Sequence, residues 1–330
     1  KVVTNDDLAK FVDTSDEWIV ERTGIRQRHQ AADDQPVSDL AAEAAKDALA
    51  AAGKTAAEVD LIIVATTTAD LTFPAVATIV QRKLGAPVGV AFDVQAVCSG
   101  FVYALSVADG FVARGHAKCA LVIGAETMTR LMDWSDRGTC VLFGDGAGAV
   151  VLEPKEGEGT TDDRGMLGFA LRADGTKQDL LYVDGGVSTT GTVGKLRMLG
   201  NQVFRHAVVN ISEAIHAAAD KAGVAVAAVA GSIPPRATQR TLQAGAHRAG
   251  RVVVLHCPGQ LGAFAIAQQR MARGAVLRGG MEMARVLHAH RLRRQVQHHR
   301  RLDFAGVDAE AVLLGAEAAG HLVWQWQAEP

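Results

Sequence analysis

Asp93-Val94-Gln95-Ala96-Val97-Cys98-Ser99-Gly100-Phe101-Val102-Tyr103-Ala104-Leu105 is the stretch on which the fold turns. The apolar run leading into it, Val88 to Val94, predicts a buried strand. Beyond it Phe101, Leu105, Ala108 and Val112 recur at helical spacing. Cys98 therefore opens a helix, where unpaired backbone N–H groups and the positive end of the macrodipole favour a thiolate, the nucleophilic form of sulfur. Gly100 lets the backbone pack closely and lets a substrate carbonyl approach. A small buried core cysteine is the other reading, and position alone does not separate the two.

Working outward, Asp60 to Thr68 is a near-continuous apolar strand of the kind buried on both faces. Ser38 to Gly53 and Pro74 to Leu84 read as helices, and Ala117 to Gly124 as a further strand. Helix and strand alternate, which predicts an α/β fold with a mostly parallel sheet covered on both sides. Gly144, Gly146 and Gly148 superficially suggest a phosphate-binding loop. That reading fails, because a strand, Ala149 to Leu152, follows the glycines where a dinucleotide fingerprint needs a helix. Glycines inside a strand mark close backbone approach instead. The charged, glycine-rich run Lys155 to Arg164 reads as a joint between two halves, and Arg172 to Thr176 as a turn after a strand.

Upstream, Thr14 to Ile25 contains a helix that Ser15 caps and Gly24 ends. Trp18 and Arg22 are four apart and share a face. An aromatic plate beside a guanidinium suits a stacked base and a phosphate. The spacing alone favours the plainer alternative, a surface tryptophan covering an apolar patch beside a solvated arginine. Downstream, Met198 to Arg205 begins a helix running to about Lys221. Phe204 on it is either core or the wall of a substrate tunnel, and its spacing favours core.

The chain has 330 residues, of which 48% are hydrophobic, so it has ample material for a core and disorder is excluded as its general state. Its formal net charge of −2 gives no whole-chain argument for nucleic acid. No apolar run approaches the roughly 20 residues of a membrane span, and the polar first residues do not resemble a signal peptide. Cys98, Cys119, Cys140 and Cys257 show no metal or disulfide-framework spacing. A reducing, cytoplasmic setting is expected.

Thr14–Ile25, Asp93–Val107, Asp136–Val151, Met198–Phe204 and Ile233–Arg240 together resemble, in order, β-ketoacyl-acyl carrier protein synthase III. The resemblance is close from Val2 to about Val229. It implies a thiolase-like five-layered αβαβα sandwich of two similar halves, 1–163 with the cysteine and 164–330. It also implies a homodimer and the loss of roughly one strand before Lys1. The implied reaction starts fatty-acid synthesis: acyl-CoA loads Cys98, and malonyl-acyl carrier protein then condenses with the thioester. Acyl-CoA is a substrate, and no cofactor is implied. Trp18, Arg22 and Arg137 match positions that hold the adenine and phosphates of coenzyme A. Asn201 and Phe204 match the entrance and wall of the acyl tunnel, and Arg240 matches a carrier-protein docking position.

The resemblance fades after about residue 230. The family motif Pro-His-Gln-Ala-Asn-Gln-Arg stands here as Pro234-Pro235-Arg236-Ala237-Thr238-Gln239-Arg240, with Pro235 at the histidine position. Proline has no side-chain hydrogen bond to offer. No His-x-Asn-Thr-Ser motif follows, Lys221 is the last lysine and Asn210 the last asparagine. Arginine and histidine crowd the segment Leu287 to Arg301, which could bind metal or nucleic acid but more simply reads as a solvated basic tract. A partly shifted reading frame or a corrupted gene past about codon 230 is expected from this change, with a genuinely diverged tail as the alternative. So is weak or absent condensation, since the enolate would lack paired donors. A non-catalytic acyl- or CoA-binding relative, or a subunit partner, is the alternative.

Overall fold

A computed structural model of the chain describes residues 1–158, 160 and 165–225, together with three backbone strands near the C-terminus. The N-terminal segment is β1 (Val2–Thr4), α1 (Asn5–Ala9), α2 (Asp16–Thr23) and β2 (Gln27–His29), with β1 and β2 paired antiparallel so that Val3 faces Arg28. α3 (Val37–Ala51), β3 (Leu61–Ala65), α4 (Val76–Leu84), β4 (Val90–Val94), α5 (Gly100–Ala113) and β5 (Ala120–Thr127) follow. After α6 (Arg137–Cys140) come β6 (Asp145–Lys155), the hairpin β7 (Leu181–Val183) and β8 (Leu196–Met198), and α7 (Gly200–Ala222). β9 (Arg301–Asp303), β10 (Leu314–Ala318) and β11 (His321–Gln325) complete the described backbone.

The main sheet has the order β4-β3-β5-β6-β9. β3 pairs parallel with β4 and β5, whereas β6 runs antiparallel to β5. Alternating residues of β3 face opposite cores. Ile62 and Val64 pack with Val37, Leu40, Ala44, Val76 and Val80 of α3 and α4, while Leu61, Ile63 and Ala65 pack with Ala104, Ala108 and Val112 of α5. Every residue of β3 is buried, as its unbroken apolar run predicts. β6 enters the sheet from Asp145, so Gly146 and Gly148 lie inside a strand opposite Glu126 and Gly124. The rejected phosphate loop is thereby replaced by close sheet packing.

Two expectations change. The Val88–Val94 run is not buried: β4 is the outer strand of the sheet, its residues are half-buried or exposed, and Val88 is fully exposed. Arg172–Thr176 follows no strand; Asp174 instead caps a 3-10 turn, Gly175–Leu180, by accepting the Thr176 N–H at 3.0 Å.

At the carboxyl end of β5 the buried Glu126 ties the sheet together. It accepts the Thr67 N–H at 2.8 Å and the Thr66 and Thr68 hydroxyls beyond β3, and Thr68 in turn accepts the Thr127 N–H at 2.8 Å. Burial pushes its carboxyl up to about 7, against the hydrogen bonds that favour the charged form. Between about pH 4.5 and 7 the folded chain holds a proton here that the unfolded chain has released, so this contribution to stability falls as pH rises through that window. Glu126→Gln is therefore expected to gain stability over the wild type at pH 8 relative to pH 5, by about 2–3 kcal/mol at most. Denaturant melts of both proteins at the two pH values check this; an equal difference at both removes the assignment.

Candidate active site

α2 forms where the sequence places it. Ser15 accepts the Trp18 N–H at 3.2 Å, Asp16 and Glu17 occupy the positive first turn, and Gly24 closes the helix at φ 76°. Ile19 points into the core, while Trp18 rests partly buried on the same core and Arg22 stays exposed. The Arg22 guanidinium lies 4.5 Å from the Trp18 ring centroid. Arg137, the first residue of α6, places its guanidinium 5.0 Å from the same ring. Residues 119 positions apart thus meet on one indole. Arg137 is steadied by the Asp13 carbonyl at 2.8 Å and carboxylate at 3.4 Å, and Arg22 lies 3.4 Å from Glu21. The plainer reading of Trp18 and Arg22, a ring over apolar surface beside a solvated arginine, omits this second guanidinium.

Cys98 lies in a 3-10 turn, Val97–Ser99, directly before α5. The expectation of a cysteine at a helix start is met within two residues. The side chain of Ser99, which flanks the helix, accepts no cap hydrogen bond from it. The turn is strained: Val97 has φ 47°, in the left-handed region where a β-branched side chain is a genuine outlier. The corner aims Cys98 inward. Gly100 serves packing here rather than the approach of a carbonyl, since an added Cβ would sit 3.2 Å from the Ala65 methyl.

The Cys98 sulfur is enclosed, as the core-cysteine reading allows. Cys98 is only 2% exposed and belongs to a core cluster with Ile19, Ile25, Met128, Cys140, Val141, Phe143 and Leu196. The physical reason is the turn, which sends the side chain beneath α2 and α6 instead of out past the end of the sheet. A site of this kind excludes water from a reactive thioester. Among the other described cysteines, burial pushes Cys119 and Cys140 up to about 11, which leaves both as neutral core thiols at ordinary pH.

Leu196 brings β8 into the same cluster and Met198 packs against it, so α7 starts beside the core that holds Cys98. Asn201 is exposed on the first turn of α7. Phe204 is 37% exposed and is not core; Val203 takes that place. Arg240 and the motif around it lie outside the described residues. Spacing gave no sign of Val97 or Asp13. Among the described residues no group of three or more His, Cys, Asp or Glu side chains could hold a metal, and no helix is long and apolar enough to cross a membrane.

A family model described as 3-oxoacyl-[acyl-carrier-protein] synthase III matches residues 92–175. The chain is 90% identical over 250 residues to the β-ketoacyl-[acyl-carrier-protein] synthase III of Caulobacter vibrioides, covering 76% of this chain and 78% of that protein. It is 59% identical to the enzyme of Rhodospirillum centenum, covering 75% and 76%. The crystal structure of 3-oxoacyl-[acyl-carrier-protein] synthase III from Aquifex aeolicus superposes with a TM-score of 0.70 at 39% identity, over 80% of this chain and 84% of that one. The Pseudomonas aeruginosa structure gives 0.70 at 37%, over 79% and 80%. The fold is of the thiolase-like α/β class expected from the sequence. With its buried cysteine turn and its paired guanidinium groups, the chain belongs to the β-ketoacyl-acyl carrier protein synthase III family, acyltransferases that start fatty-acid synthesis by condensing an acyl group from acyl-CoA with malonyl-acyl carrier protein.

Proposed function

We propose that Cys98 carries the acyl group and that Trp18, Arg22 and Arg137 hold the nucleotide end of acyl-CoA. The observation that carries this is the shared core: the cysteine turn, α2 and α6 all pack into one cluster. The Cys98 thiolate attacks the thioester carbonyl of acyl-CoA, the tetrahedral adduct collapses, and coenzyme A leaves as a thiolate that takes up a proton. In the second half, malonyl-acyl carrier protein loses carbon dioxide. The resulting carbanion attacks the acyl-cysteine, releasing 3-oxoacyl-acyl carrier protein and restoring the Cys98 thiolate. Asn201 and Phe204, exposed at the start of α7, suit the entrance to the acyl channel, and Arg240 suits the carrier protein. The reaction is that of a cytoplasmic enzyme.

A homodimer fits the same reading. Among the described residues β4 has no strand partner on its outer side, with Val90 exposed on it and Val88 exposed just before it. Asp93 of β4 accepts the Val76 and Ala77 N–H groups at 2.7 and 2.8 Å, which holds the preceding loop, with exposed Leu71 and Phe73, beside that edge. An apolar unpaired edge of this kind calls for a cover, and a second copy supplies a matching one.

Incubation with an acyl-CoA is expected to add one acyl mass to the wild type and none to Cys98→Ser, read by intact mass; loading elsewhere overturns the nucleophile. This reads the first half alone, whatever Pro235 does to the second. Trp18→Ala is expected to raise the half-saturating acyl-CoA concentration for loading about tenfold with the maximal rate unchanged, the scale of a lost stacking contact. Sedimentation of the wild type is expected to show a dimer at micromolar concentration and Val90→Lys to weaken it at least tenfold; a monomeric wild type removes the dimer.

A further inference from the structure

Arg28 is a charged side chain where a charge is costly. It is 1% exposed, and among the described residues no carboxylate lies within ion-pair distance of it. Among the described residues its Nε–H has no acceptor. Desolvation lowers its pKa to about 10, so it is still a cation at neutral pH. What it does have is a set of neutral oxygens from three elements. One terminal nitrogen donates to the Asn5 Oδ1 at 2.8 Å and to the Val141 carbonyl at 3.1 Å, and the other reaches the Val3 carbonyl at 3.5 Å.

The two shorter contacts, to Asn5 and Val141, lead to the nucleotide handle. Val141 caps the C-terminal end of α6, one turn beyond Arg137. Asn5 is the first residue of α1, and because its carbonyl oxygen faces Arg28, its Nδ2 is turned toward α2. That amide donates to the Asp16 carboxylate at 2.8 Å, at the start of α2, and to the Ile25 carbonyl at 2.7 Å, just past its end. A single guanidinium therefore fixes α6 directly and both ends of α2 through one amide. Trp18 and Arg22 ride on α2 and Arg137 on α6, and their mutual distance is what a stacked base would feel.

We propose that Arg28 is a positioning residue that sets the spacing between Trp18 and Arg137, and so the affinity for the nucleotide part of acyl-CoA, without touching substrate itself. This rests on the reading of Trp18, Arg22 and Arg137 as the nucleotide handle. Arg28→Gln keeps a donor without charge, and Arg28→Lys keeps the charge without the planar fork. The probes are acetyl-CoA and S-acetyl-N-acetylcysteamine, a donor with the thioester but no nucleotide, and the readout is the rate of Cys98 acylation by intact mass.

For Arg28→Gln the half-saturating acetyl-CoA concentration is expected to rise at least fivefold, with a maximal rate within twofold of wild type and an unchanged rate with the short donor. Arg28→Lys is expected to shift the same way by less, and it supplies the comparison if circular dichroism shows the glutamine variant unfolded. Equal slowing with both donors, the mark of a merely structural role, overturns the proposal, as does an unchanged acetyl-CoA saturation. Trp18→Ala separates the two levels. If it leaves acetyl-CoA saturation unchanged, the handle reading fails and this proposal with it. If it shifts saturation while the Arg28 variants do not, only Arg28's role falls.

Discussion

Packing of Ile19, Cys98 and Val141 into one cluster joins parts of the chain that have opposite needs. On the proposed assignment, a thioester-forming sulfur would require a dry, fixed surrounding, whereas a nucleotide handle would require exposed cations. α2 satisfies both at once, since Ile19 faces inward and Arg22 outward on the same helix. α6 repeats the arrangement, with Cys140 buried and Arg137 exposed within one turn. Removing that common floor would cost both short helices, of eight and four residues, the packing that holds them folded.

The left-handed corner at Val97 complements the cluster from the other side. The sheet delivers β4 to the carboxyl end of β3, where Gly100 permits α5 to begin against Ala65. A relaxed turn there would carry the sulfur outward along the strand direction. Strain held by good packing on both sides is what keeps it inside.

Local chemistry was legible in the sequence; coverage was not. The Ser15 cap, the Gly24 terminus, the doubly buried β3 and the strand at Ala149–Leu152 follow from propensity, backbone freedom and the order of glycines and strand, though that strand begins earlier, at Asp145. β4 misled because an apolar run looks the same in the middle of a sheet and at its outer strand. Phe204 misled for a related reason: Val203 and Phe204 are adjacent, and spacing alone does not say which of two apolar neighbours a helix turns inward. Arg28 stands within Gln27-Arg28-His29, a polar triplet that reads as surface, and only the pairing of β2 with β1 reveals that its middle residue is enclosed. The meeting of Arg137 with Trp18 is a tertiary contact with no local trace, reached only through the family likeness.

The guanidinium pair on Trp18 has a consequence for how an anion would arrive. Arg22 stands beside Glu21 and Arg137 beside Asp13, each at 3.4 Å, so the two cations come with two carboxylates and this corner carries little net field. Long-range attraction over a Debye length would then do little to hasten encounter. If this corner holds a phosphate as proposed, selection would take place on contact, when the phosphate exchanges with a carboxylate already present, and discrimination would show in the rate of departure more than in the rate of approach.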